Sequence, residues 1–131
     1  MSERKLEGKV ALITGGARGI GKAISKHLGE AGAKLAIIDI MLEVAEETAA
    51  EFREIGVEAA AFKANVASFA EVEGTVKNVL EAFGKIDILI NNAGITRDNL
   101  IMRMKEEDWD MVIDVNLKGT FNFIKPCSRP M

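Results

Sequence analysis

What most constrains the fold of this chain is an alternation of short apolar runs with longer amphipathic stretches. The runs are "KVALIT" (residues 9–14), "KLAIID" (34–39), the alanine-rich "VEAAAFKANV" (57–66) and "IDILINN" (86–92). Between the first two, residues 19–33 carry Ile20, Ala23, Ile24, Leu28 and Ala31 at helical spacing, with Gly32 as a stop. Residues 43–56 read as a second helix ended by Gly56. A third, 69–84, has an apolar stripe at Val72, Val76, Val79/Leu80 and Phe83, and a long helical stretch follows from about 105 to 125. Runs that are apolar at successive positions are strands buried on both faces. Joined by crossover helices, they form a parallel sheet covered on both sides, which predicts an α/β layered domain.

A chain of 131 residues is enough for one domain, 1–131, with a sizeable core. Its net charge is only −3 and the two signs are interspersed, which argues against nucleic acid or an anionic membrane as a partner. No apolar run approaches the roughly 18 residues of a membrane span, and the start, "MSERKLEGKV", is too charged for a signal peptide. The single cysteine, Cys127, leaves no internal disulfide and suits a reducing cytoplasm. One cysteine and one histidine are too few for a structural zinc site, so no metal is expected.

The first run ends in glycines, "GGARGIG" (15–21), and then a helix. Such a turn gathers backbone N–H groups and the positive end of the helix dipole at one place. Glycine suits it because a Cβ would block a phosphate and because the turn visits positive φ. The spacing Gly15, Gly19, Gly21 departs from G-x-G-x-x-G, with Arg18 where a glycine is required. By itself the turn is either a phosphate cradle or simply a tight turn. Asp39 ends the second run 18 residues after Gly21, close to the ~20 expected for a carboxylate that bonds ribose hydroxyls. It also fits a plain surface charge.

"TGGARGIG" (14–21), "NNAG" (91–94) and the Asn within "VNLKGTFN" (115–122) together resemble the short-chain dehydrogenase/reductase family, in its order and at its spacing. Residues 91–122 are most similar to bacterial 3-oxoacyl-[acyl-carrier-protein] reductases. The likeness covers the whole chain but about the N-terminal half of a typical member. It implies a Rossmann-type parallel sheet of four strands in order 3-2-1-4. Gly15, Gly16, Ala17, Arg18 and Ile20 would then line the pyrophosphate and adenosine ribose, in a loop completed by Gly19 and Gly21. Asp39 would take the ribose hydroxyls, Asn65 and Val66 would contact adenine, and the Asn92-Ala93-Gly94 turn would pass the second ribose closely. Asn116 would be the family's catalytic asparagine, which holds a water in a proton relay. Spacing alone puts Trp109, Ile113, Asn116, Thr120 and Ile124 on one face and turns this amide inward, which also describes a buried asparagine that kinks its helix.

The family's proton donor is a tyrosine, followed four residues later by a lysine and helped by a serine. This chain has no tyrosine. Phe121 and Lys125 imitate the spacing, but phenylalanine has no proton to give. Ser128 lies on the same helical stretch as Asn116, so the resemblance places all three groups beyond Met131. His27 reads as a helix-surface residue and Cys127 as an unactivated thiol. Pro126 is expected to end the last helix near Lys125. The expectation is therefore the cofactor-binding portion of an oxidoreductase, inactive alone. The alternative is a nucleotide-binding or dimerising half-fold that works as it stands. Asp39 favours NAD; Arg18, able to pair a 2′-phosphate, keeps NADP open. A longer form would take a substrate borne on acyl carrier protein, and members of the family commonly form homo-oligomers.

Overall fold

The computed structural model describes residues 4–95 and 97–131. The order is β1 (Val10–Thr14), α1 (Gly19–Glu30), β2 (Lys34–Asp39), α2 (Leu42–Glu54), β3 (Ala59–Lys63), α3 (Phe69–Phe83) and β4 (Ile88–Asn91). Then come α4 (Glu106–Val112), a π-helical segment (Ile113–Lys118) and α5 (Gly119–Ser128). The four strands form one sheet in the order β3-β2-β1-β4, every pair parallel. Ile13 stands opposite both Ile37 and Ile90, so the strands end level, and the loops that follow them emerge at one edge.

Alternate residues of the strands feed two separate cores. Ala11, Ile13, Leu35 and Ile37 pack under α2, against Ala45, Ala49 and Phe52. Leu12, Ala36 and Ile38 face the other way, toward Val72, Val76 and Val79 of α3 and Phe123 and Cys127 of α5. The stripe read on α3 is thus the one that is buried. Ser68 caps this helix, its hydroxyl accepting from the Glu71 N–H, and Gly84 ends it at φ 81°.

Helix α1 packs only in part by the face its hydropathy suggested: Leu28 packs against the first core, and Ile24 and Ala31 are half-buried. Ile20 is 75% exposed and Ala23 also faces solvent, whereas Gly21, Ser25 and Gly29 are buried. The reason is proximity. A Cβ on Gly21 would lie 2.0 Å from the Gly15 carbonyl oxygen, and one on Gly29 would lie 2.7 Å from Val57. The Ser25 hydroxyl donates to the Gly21 carbonyl at 2.8 Å. The helix sits too near the sheet for larger residues.

The stretch read as one helix over 105–125 is broken by the π segment and extends to Ser128. A π turn closes i→i+5 bonds, so a face counted at α-helical steps slips out of phase across it. Trp109 is 60% and Ile124 47% exposed, and Asn116 is exposed too. The inward face is Gly119, Asn122, Phe123 and Cys127. Nor does Pro126 end the helix. Its ring removes one backbone bond, yet Phe123 and Cys127, both fully buried, hold the segment on the sheet on either side of it.

Candidate functional site

The carboxyl ends of the strands enclose a cleft of about 330 Å³, lined by Gly15, Arg18, Asp39, Asn65, Val66, Asn92, Ala93 and Gly94, together with Ile38, Ile40, Ala64, Ile95 and Val115. A crevice at this edge of a parallel α/β sheet, between strands whose connections diverge, is where such folds accept ligands. The connection from β1 leads to one side of it and that from β4 to the other.

The loop after β1 is held tightly. Gly15 has φ 63° and its N–H donates to the Ile38 carbonyl at 2.8 Å. The Gly15 carbonyl accepts from the Asn92 side chain at 3.2 Å. Thr14, almost fully buried, accepts from the N–H groups of both Asn92 and Ala93 at 3.0 Å, which fixes the turn after β4 against the end of β1. Gly16 and Ala17 lie beneath the loop rather than in the cleft, and the Ala17 carbonyl accepts from the Thr48 hydroxyl of α2 at 2.8 Å. Gly19 (φ 53°) and Ile20 stand on the outer rim, with open space where a Cβ of Gly19 would be. No side chain caps the first turn of α1, so its N–H end remains available to an anion.

Asp39 ends β2 with its side chain only 4% exposed. One carboxylate oxygen accepts from the Met41 N–H at 3.0 Å and from the Arg18 guanidinium at 3.2 Å. The two residues whose charges pointed toward different cofactors are therefore partners, with Arg18 reaching across the mouth. At the end of β3, the Asn65 side-chain oxygen accepts from the Ala67 N–H at 3.0 Å, so one lone pair is already in use. Val66 is 9% exposed beside it.

Asn116 stands behind Ile95 at the far wall, lining the neighbouring hollow rather than the cleft, and its amide faces backbone. The side-chain oxygen accepts from the Ile95 N–H at 2.8 Å, and its NH2 donates to the Ile95 carbonyl at 2.9 Å. Gly94 passes close by; a Cβ there would be 3.2 Å from the Asn116 oxygen. A second hollow, of about 520 Å³, opens beyond Ile95 between Met104, Trp109 and Asn116.

Neither of the doubtful acid–base groups stands at the cleft. Burial pushes the Cys127 thiol up to about 11, and it sits in the core under the sheet. His27 is exposed on α1. Among the described residues, no three His, Cys, Asp or Glu side chains gather to hold a metal, and no helix is long and apolar enough to cross a membrane. The arrangement offers backbone donors, a shielded carboxylate and narrow apolar walls. These features suit a nucleotide's phosphates, ribose and base.

Residues 9–131 match the family model for short chain dehydrogenases. The chain belongs to that family. It is 49% identical over 124 residues to a 3-oxoacyl-[acyl-carrier-protein] reductase of Staphylococcus aureus, a match covering 94% of this chain and 50% of the relative. A reductase of the same description from Thermotoga maritima is 47% identical over 118 residues, covering 90% and 48%. One from Synechocystis is 46% identical over 127, covering 96% and 51%. Among solved structures, that of gox2181 superposes with a TM-score of 0.95 at 32% identity, over 98% of this chain and 50% of that one. The chain spans about half the length of the curated relatives it matches. As a short chain dehydrogenase homologue it carries the family-level expectation of NAD(P) binding.

Two residues that shape the cleft went unassigned in the sequence. Thr14 stood in the glycine motif without a role. Asn122 is buried, and its NH2 donates to the Val66 carbonyl at 2.8 Å across 56 residues of sequence. An asparagine between two phenylalanines is no signal until the partner strand end is known.

Proposed function

We propose that this chain is the cofactor-binding portion of an NAD(P)-dependent reductase resembling the 3-oxoacyl-[acyl-carrier-protein] reductases, that it binds adenine dinucleotides, and that it prefers NAD. The observation that carries this is the convergence on one cleft of Gly15, Arg18, Asp39, Asn65, Val66 and the Asn92–Gly94 turn, residues drawn from all four strand ends. A nicotinamide dinucleotide, when bound, supplies or takes up hydride. The residues of this chain position it. N–H groups at the first turn of α1 face the diphosphate, Asp39 accepts from ribose hydroxyls, Asn65 and Val66 flank adenine, and the Asn92–Gly94 turn borders the second ribose. Asn116 holds Ile95 and with it the far wall.

The preference for NAD follows from the pairing of Arg18 with Asp39. A 2′-phosphate would meet the Asp39 carboxylate and would have to draw Arg18 from a partner 3.2 Å away. Within these 131 residues there is no tyrosine to donate a proton, so the chain by itself should bind without reducing a carbonyl. Calorimetric titration with NAD, NADP and ADP-ribose tests the reading. Saturable binding of NAD and ADP-ribose, weaker binding of NADP and no carbonyl-dependent NADH oxidation are expected. Equal indifference to all three, or turnover by the pure chain, would overturn it.

One observation favours a second reading, a binding module completed by another chain: β4 pairs only with β1, which leaves its outer edge open among the described residues. Native mass spectrometry decides between them. A defined dimer that keeps micromolar NAD affinity would favour the module, and a monomer would favour the first reading.

A further inference from the structure

We infer that Asn122 is a positioning residue for the adenine end of the cleft, acting through Val66; the inference rests on the nucleotide reading above. A primary amide inside an apolar core is costly unless it is hydrogen-bonded. Asn122 is 1% exposed, among the side chains that join α3 and α5 to the sheet. Its NH2 donates at 2.8 Å to the carbonyl of Val66. Val66 has left β3 by then, so no neighbouring strand takes that carbonyl.

A second contact from the same helix reaches the same residue. Gly119, one turn before Asn122, lies so close that a Cβ would be 2.8 Å from Val66 Cγ2. Helix α5 thus holds Val66 by its carbonyl and abuts its side chain, and that side chain lines the cleft. The loop's other restraints stop short of Val66: the Ala64 N–H donates to the Asp39 carbonyl at 3.2 Å, the Asn65 N–H to the Glu71 carboxylate at 3.4 Å, the Asn65 side-chain oxygen accepts from Ala67 N–H, and the Asn65 carbonyl accepts from Ser68 N–H at 3.0 Å. These anchor the start of the loop to β2 and shape its turn. Asn122 holds Val66 itself.

The helical segment that bears Asn122 also bears Asn116, which holds Ile95 on the opposite wall by two hydrogen bonds. One continuous helical run, with Asn116 in its π segment and Asn122 in α5, therefore bonds to the backbone of both walls. Asn122→Leu removes the donor at nearly constant volume, and Gly119→Ala, one turn earlier on the same helix, pushes on the Val66 side chain.

The test compares two probes on the full chain: ADP-ribose, which needs the adenine wall, and inorganic pyrophosphate, which needs only the glycine loop. Each variant should bind ADP-ribose about five- to tenfold more weakly and pyrophosphate within twofold of the parent. A purely structural role would change both affinities together or neither, and either result in a folded variant would overturn the inference. If Asn122→Leu fails to fold, Gly119→Ala decides alone, having left every hydrogen-bonding group in place. Parent chain that binds no ADP-ribose would overturn the nucleotide reading and this inference with it. Parent binding with unchanged variants would overturn this inference only.

Discussion

The two sides of the cleft are built in opposite ways. The β1–α1–β2 side is made of fully buried strand residues and of a glycine, Gly21, standing where a Cβ would nearly overlap the Gly15 carbonyl. The side after β4 has a helix, α4, with no buried residue, and leaves Leu100, Ile101, Met102 and Trp109 between 60% and 89% exposed. Only the inner face of α5 is packed there. The contrast teaches where rigidity is needed. A loop that must present N–H groups to an anion has to be over-determined by its surroundings, because a shift of an ångström would misalign every donor. The other side leaves large apolar residues uncovered.

The sharpest way to break this contrast is a pair of aromatic truncations in the same segment. Phe123→Ala, in the core, should cost about 3–5 kcal/mol, whereas Trp109→Ala, largely exposed, should change stability by no more than about 0.5 kcal/mol. Urea unfolding measures both, and similar losses would mean that the outer face is packed after all. The next largest effect is expected at Gly21. Glycine to alanine inside a helix ordinarily stabilises by about 1 kcal/mol. Here the added Cβ would have to displace the Gly15 carbonyl, so Gly21→Ala should instead cost about 1–3 kcal/mol and weaken ADP-ribose binding. A gain in melting temperature would show that α1 has room to move.

Asp39→Ala tests the chemistry of the rigid side rather than its packing. Loss of a shielded acceptor should lower NAD affinity by roughly tenfold, about 1.4 kcal/mol, and freeing Arg18 should narrow the gap between NAD and NADP. An unchanged ratio would remove Asp39 from the ribose site. The smallest effect concerns Asp87, whose carboxylate accepts from the Val10 N–H at 2.8 Å and lies 3.1 Å from Lys85. That backbone bond, helped by Lys85 against partial burial, holds its pKa below the usual 3.8. A carboxyl depressed in the folded state stabilises above its unfolded pKa, and the contribution disappears as pH falls through the lower folded value. The urea midpoint of Asp87→Asn should therefore trail the parent at pH 6, and the difference should shrink below pH 3.

Much of this was legible in the sequence, and the misreadings share a cause. Strand order followed from the family resemblance, and the face of α3 from apolar period, since Val72, Val76 and Val79 are buried for the same reason that they are apolar. Helix α1 was misread at Ile20 and Ala23, and its closest contacts were missed, because Gly21, Ser25 and Gly29 carry no hydropathy signal; they are buried by backbone proximity, which only the fold reveals. The face of the last helices was misread because a π segment shifts the phase that the spacing argument assumed constant. At the cleft, Gly15, Asp39 and the Asn92–Gly94 turn come together because each stands at the end of a strand. Asn122 could not be read from the sequence, since its meaning depends on a carbonyl 56 residues away.

The central claim is that the glycine turn after β1 and the carboxylate closing β2 together seat an adenosine diphosphate. Backbone amide NMR spectra of the isotope-labelled chain, titrated with ADP-ribose, test it most directly. The account predicts progressive, saturable shifts at Gly15, Arg18, Gly19, Asp39 and Val66, with Trp109 and Met104 unmoved. Shifts confined to the hollow beside Trp109, or none at saturating ligand, would contradict it.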